Sequence, residues 1–75
     1  MNTQSHNPNT LITSAFALVA NWESRRVART KWHQADALMM QAALIAPDST
    51  MEAWEQLARQ YETYLQFHAT QRRAA

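Results

Sequence analysis

The clearest chemical signal in this chain of 75 residues is a run of four cations within seven residues. The run contains Arg25, Arg26, Arg29 and Lys31, and Trp32 follows it directly. Arginine beside an aromatic ring can hold phosphate and stack on a base, so one candidate function is nucleic-acid binding. The net charge of only +1 argues against that function, because nucleic-acid-binding domains usually carry a marked basic excess. The alternative is a solvated face that pairs with an acidic surface of a partner.

The other polar residues do not suggest catalysis or metal binding. The six carboxylates form no close pair suited to acid–base work, and the serines lack the surroundings of an activated nucleophile. The three histidines have no metal-type spacing, and cysteine is absent. We therefore predict no catalytic residue, no metal, no cofactor and no enzyme activity. Asp36 lies beside an apolar stripe, where we expect it, if buried, to bond Tyr61 or His33. We expect His68 to be a core or edge residue.

The elements that position these residues are predicted to be helices. The chain has no glycine and only two prolines, Pro8 and Pro47. Glycine normally supplies tight turns, so a β-rich fold without it is improbable. Apolar residues recur at steps of three and four, which is the helical period. The predicted fold class is all-α: a helical hairpin or a short three-helix bundle, completed by dimerisation.

The sequence also predicts where these helices begin and end. Residues 1–9 are polar and predict a disordered leader or a helix cap, followed by a single helical domain over residues 10–75. Two helix starts stay open: Asn7 as the cap with Pro8 at the first helical position, or Thr10 as the cap. A first helix is expected over about 10–45, either continuous or broken near Asn21. Residues 46–49 are expected to form a turn, because the residue before Pro47 disfavours helix. Ser49 and Glu52 match a capping box, which predicts a last helix over about 50–72.

Folding the two long segments antiparallel about Asp48 predicts that Ala35 meets Tyr61 and that Trp32 meets Tyr64. It also leaves the apolar amino-terminal third without a neighbour. Burying one large apolar side chain is worth about 1.5–3 kcal/mol, so this third should either fold back as a third helix or pack on another subunit. We favour a homodimer, the commonest oligomer. The predicted interface consists of Leu11, Ile12, Phe16, Val19, Trp22 and Trp32.

These features predict a small non-catalytic protein–protein interaction module: an adaptor, a chaperone-like factor or a regulator. The alternative is a nucleic-acid-binding regulator that uses the basic segment 25–31. The apolar stretch from Leu11 to Ala20 is too short to span a membrane, which needs about 20 residues. The lack of cysteine is typical of a reducing compartment, and we predict a cytoplasmic location.

The stretch 35–61 resembles the junction between two tetratricopeptide repeats. In that family one helix carries a small residue and a large one four positions later, and it ends at a proline. Ala35, Met39 and Pro47 are similar to those positions, with Met39 in place of the usual Phe. The next helix of the family carries the pattern W-x2-L-G-x2-Y. Its counterparts here are Trp54, Leu57, Ala58 and Tyr61, with Ala58 in place of glycine. The resemblance implies protein binding by paired helices.

Overall fold

The computed structural model describes residues 7–74, with the backbone alone for 72–74. Three helices form within these residues: α1 at Pro8–Leu18, α2 at Arg29–Ile45 and α3 at Pro47–Ala74. All regular structure in this part of the chain is helical, which confirms the all-α prediction. The stretch expected to hold one helix or two contains two, separated by residues 19–28. The arrangement is therefore compatible with a three-helix bundle.

The first helix begins at the earlier of the two starts that the sequence left open. The side chain of Asn7 accepts a hydrogen bond from the amide of Asn9 at 2.9 Å, and Pro8 occupies the first helical turn. Asparagine caps a free amide, and proline has no amide that needs a partner, so both residues suit a helix start. Pro8 and Asn9 thus belong to α1 and not to the predicted leader. Residues 1–6 of that leader lie outside the described residues.

The loop between α1 and α2 turns at Asn21, whose φ of 68° lies in the left-handed region. Its carbonyl oxygen accepts hydrogen bonds from the amides of Ser24 and Arg25, at 3.1 and 3.0 Å. Asparagine visits this region more readily than most residues other than glycine, so a chain without glycine can still reverse direction here. Asn21 does not start a new helix, because α2 begins only at Arg29.

The junction between α2 and α3 is shorter than predicted. Only Ala46 separates the two helices, and its φ of −139° and ψ of 79° lie outside the helical region, as is common before proline. The carbonyl oxygen of Ala46 accepts the amide of Thr50 at 3.0 Å. Ser49 therefore lies inside the first turn of α3 and is not its cap. The predicted turn over residues 46–49 and the capping box at Ser49 are corrected accordingly.

The core lies where α1 and α3 both pack on α2. Its buried cluster draws small and large side chains from all three helices and the loop: Ala15, Val19, Val27, Trp32, Ala35, Met39, Leu57 and Tyr64. Ala15 and Ala35 are fully buried, as is the much larger Met39. Small residues beside large ones let neighbouring helices approach closely and interdigitate.

The loop between α1 and α2 also packs against the carboxy-terminal half of α3. The hydroxyl of Tyr64 donates to the carbonyl oxygen of Val27, and His68 Nε2 lies 3.1 Å from the carbonyl oxygen of Trp22. The ring of Trp22 meets that of Phe67 edge-on, with 5.9 Å between centroids. His68 is half-buried, which places it at the edge of the core. These contacts extend the packing beyond the amino-terminal end of α2.

Candidate interaction surfaces

The six residues predicted as a partner interface are packed within the chain's own fold. Three of them are buried, namely Leu11, Val19 and Trp32. The other three are half-buried and pack against the core, namely Ile12, Phe16 and Trp22. The amino-terminal third therefore folds back as a third helix, which was one of the two alternatives. Contact of these residues with a partner stays a prediction, but a partner is no longer needed to cover them.

The second helix is apolar on two opposite sides. Its inner side carries the buried residues Trp32, Ala35, Met39 and Ala42. Its outer side carries Ala37, Met40 and Leu44, which we call the outer stripe. Their spacing of three and four places them on one face of the helix. Met40 is 56% exposed and Leu44 is 87% exposed.

Two further large apolar side chains are exposed near the junction with α3. Ile45, the last residue of α2, is 48% exposed, and Met51 in the early turns of α3 is 59% exposed. No residue of the segment 37–47 is charged. Single exposed apolar residues are ordinary, whereas a contiguous group of them marks an interaction site. The outer stripe with Ile45 and Met51 is therefore a candidate protein-binding surface.

A groove lies between α2 and α3, and its volume is about 190 Å³. We call it the α2–α3 groove. Its lining combines aromatic rings with one carboxylate: Trp32, His33, Asp36, Trp54, Leu57, Ala58 and Tyr61. The indole Nε1 of Trp54 donates to Asp36 Oδ1 at 2.5 Å. The partner expected for Asp36, if buried, was Tyr61 or His33; the structure leaves Asp36 exposed and pairs it with Trp54.

The basic residues surround the start of α2. Arg25 and Arg26 lie in the loop, and Arg29 and Lys31 lie in the first turn of α2; all four are exposed. Arg25 therefore does not share a helical face with Arg29, as it would on a continuous helix. The cap residue Ala28 offers no side-chain hydrogen bond, and the first turn holds no acidic residue. The positive end of the helix dipole thus adds to the four cations.

Two further depressions adjoin these cations. One brings Arg26 and Arg29 together with Tyr61 and Tyr64, and its volume is about 390 Å³. The other, of about 300 Å³, is lined by Arg25, Arg26 and Lys31 among others. Tyr64 is buried, so Tyr61 is the more accessible of the two rings. The basic segment thus has an aromatic neighbour from α3 in addition to Trp32, which is buried.

Sequence reasoning missed the α2–α3 groove and the outer stripe. A signal for the groove was present, because Asp36 is the one carboxylate beside the buried stripe of α2. A signal for the outer stripe was also present, since Met40 and Leu44 stand four apart in a segment without charges. Both were overlooked because the apolar residues of the amino-terminal third were expected to supply the partner interface.

Comparison with protein-family models, curated proteins and solved structures finds no match to this chain. Within residues 7–74, no helix combines the length and the apolar character needed to cross a membrane.

Proposed function

We propose that this chain is a small non-catalytic protein–protein interaction module, acting as an adaptor, a chaperone-like factor or a regulator. The observation that carries the proposal is the outer stripe together with Ile45 and Met51. A partner that covers a large apolar side chain gains about 1.5–3 kcal/mol for each one fully buried. Methionine also adapts its shape to different partners. The tetratricopeptide-like pattern over 35–61 and the predicted cytoplasmic location belong to the same proposal.

A second copy of the chain is the partner that we propose for this surface. A two-fold dimer places the same patch of both copies face to face. Since the segment 37–47 carries no charge, two copies can meet there without like-charge repulsion. The proposed homodimer thus uses the outer side of α2 in place of α1, whose apolar residues the chain itself covers.

Site-specific photo-crosslinking tests this function. A benzophenone side chain is introduced at Gln41, which lies exposed between Met40 and Leu44. We expect a discrete protein adduct, and an adduct of about twice the chain mass of 8.6 kDa identifies the homodimer. Combining Met40→Gln with Leu44→Gln should abolish the adduct, whereas Gln56→Ala on α3 should preserve it. Both altered side chains are exposed, so circular dichroism should show an unchanged helix content.

An adduct of another mass, lost in the same double variant, would support the interaction module and contradict the homodimer. The absence of any adduct from position 41, or an adduct of equal yield in the double variant, would contradict the outer stripe as the binding surface.

The second candidate function is a nucleic-acid-binding regulator. It is favoured by the four exposed cations at the uncapped start of α2, beside Tyr61. A gel shift over a series of salt concentrations tests it. Replacing Arg25 and Arg29 by alanine should lower the salt slope by about 2, since each phosphate contact contributes about 0.9. Arg59→Ala, an exposed arginine of α3, is the matched control. No complex at low salt, or an affinity unchanged in the double variant, would contradict this function.

A further inference from the structure

We infer that the α2–α3 groove binds the guanidinium group of an arginine side chain on the protein partner. The inference rests on the proposed protein-binding function and names the chemistry that this partner must present. It follows from three properties of the groove: aromatic walls, a carboxylate oriented by a hydrogen bond, and continuity with the outer stripe.

Aromatic rings form the walls and floor of the groove. Trp32 is only 4% exposed and forms part of the floor with Leu57, while Trp54 and Tyr61 are half-buried. The rings of Trp32 and Tyr61 lie 4.9 Å apart between centroids and are tilted by 40°. Aromatic faces attract cations, tryptophan most strongly, and the attraction grows as water is excluded. The floor therefore favours a flat cation over a neutral polar group.

Asp36 supplies the charge that complements such a ligand. It is the only carboxylate among the seven lining residues, and none of them is lysine or arginine. One of its oxygens accepts the indole N–H of Trp54, which orients the carboxylate. An ionised carboxylate has about four acceptor positions, so capacity remains for the forked donors of a guanidinium.

Arginine fits these features better than lysine does. The guanidinium is planar and weakly hydrated, stacks on aromatic rings and binds carboxylates through two parallel hydrogen bonds. The ammonium of lysine is a strongly hydrated point charge with no flat face. The groove offers both a ring to stack on and a carboxylate at its edge, within a volume of about 190 Å³.

The groove adjoins the outer stripe along α2. His33 precedes Ala37 by four residues, and Asp36 precedes Met40 by four, so each pair is adjacent on the helix surface. A protein that covers the outer stripe can therefore place an arginine in the groove without crossing a charged surface of α2.

Nuclear magnetic resonance of the full ¹⁵N-labelled chain tests the inference. The probe is N-acetyl-arginine methylamide, and the matched probe is N-acetyl-citrulline methylamide, which has nearly the same shape and no charge. We expect saturable shifts of the Trp54 indole N–H and the Asp36 amide with the arginine probe and little change with citrulline. The indole of Trp22 does not line the groove and serves as an internal reference.

Variants identify the charge responsible. Asp36→Asn keeps an oxygen for the Trp54 indole and removes the charge, so the arginine probe should bind about two- to fivefold more weakly, the effect of one exposed ion pair. Glu55→Gln makes the same change of charge on α3, at a residue that does not line the groove, and should leave the affinity unaltered. If Asp36→Asn unfolds the chain, the comparison of the two probes on the wild-type protein still decides.

Equal shifts with citrulline, an unmoved Trp54 indole, or tighter binding of N-acetyl-lysine methylamide would each overturn the inference. If the arginine probe does not bind but the chain still crosslinks through position 41, this inference alone is overturned. Loss of the crosslink would instead overturn the proposed function.

Discussion

The hydroxyl of Tyr64 on α3 donates a hydrogen bond of 2.5 Å to the carbonyl oxygen of Val27, 37 positions earlier in the chain. Both residues are buried, at 7% and 8% exposure. A buried carbonyl oxygen that loses its donor costs about 1–3 kcal/mol, so this contact has more weight than a surface hydrogen bond. It holds the loop that carries Arg25 and Arg26 against α3.

Removing that hydroxyl should destabilise the fold. Tyr64→Phe leaves the ring in place and the Val27 oxygen without its donor, and we expect the free energy of unfolding to fall by about 1–3 kcal/mol. Tyr61→Phe is the matched control: Tyr61 is half-buried and packs its ring on Trp32, a contact that phenylalanine preserves. Urea unfolding followed by circular dichroism measures both. An equal loss in the two variants would contradict a special role for the Tyr64 bond.

Two neighbouring methionines should respond in opposite ways to truncation. Met39 is fully buried, so Met39→Ala should cost about 2–5 kcal/mol through the cavity that it leaves. Met40 is 56% exposed, so Met40→Ala should change stability by no more than about 0.5 kcal/mol. Chemical unfolding of the two variants measures the difference. Similar losses of stability at both positions would contradict an orientation of α2 that buries Met39 and exposes Met40.

A second pair of positions tests how closely the helices approach. Ala35 is fully buried between helices, so Ala35→Leu should cost about 1–3 kcal/mol by overpacking. Ala37 lies exposed on the outer stripe, and Ala37→Leu should be tolerated within about 0.5 kcal/mol. Thermal unfolding followed by circular dichroism compares them. If the Ala35→Leu variant is as stable as the wild type, the core has space at this position, and the close helix approach described here is wrong.

The left-handed turn at Asn21 should tolerate glycine and reject a β-branched residue. Asn21→Gly removes the Cβ that crowds this backbone, and we expect nearly unchanged stability. Asn21→Val should cost about 1–2 kcal/mol, the strain of placing an ordinary side chain at positive φ. Hydrogen exchange at the Ser24 and Arg25 amides, which bond Asn21, should speed up in the valine variant. Unchanged exchange rates at these two amides would contradict the left-handed turn at Asn21.

Much of the fold could be predicted because it depends on local spacing. Apolar steps of three and four identified the inner side of α2, and Ala35, Met39 and Trp32 are all buried. The contact of Trp32 with Tyr64 was also predicted, and their rings lie 5.2 Å apart. These features follow from helical periodicity, which one sequence displays directly.

The pairing of Asp36 with Trp54 was missed for a physical reason. The capping box at Ser49 suggested a longer turn centred on Asp48, whereas the helices meet at Ala46. Moving the centre of the hairpin two residues earlier shifts each partner on α3 by about one turn, from Tyr61 towards Trp54. The candidate interaction surface was missed similarly, because periodicity shows which side of a helix is apolar but not which apolar surface another helix will cover.

Because a single residue joins α2 to α3, the two helices are locked in rotational phase. Inserting one amino acid within the first turns of α3, between Pro47 and Trp54, would turn every later side chain of that helix by about 100° about its axis, the angle between successive residues of a helix. Trp54, Leu57 and Tyr64 would then all leave their partners together. Length changes in this part of α3 should therefore be tolerated far less than changes of residue type.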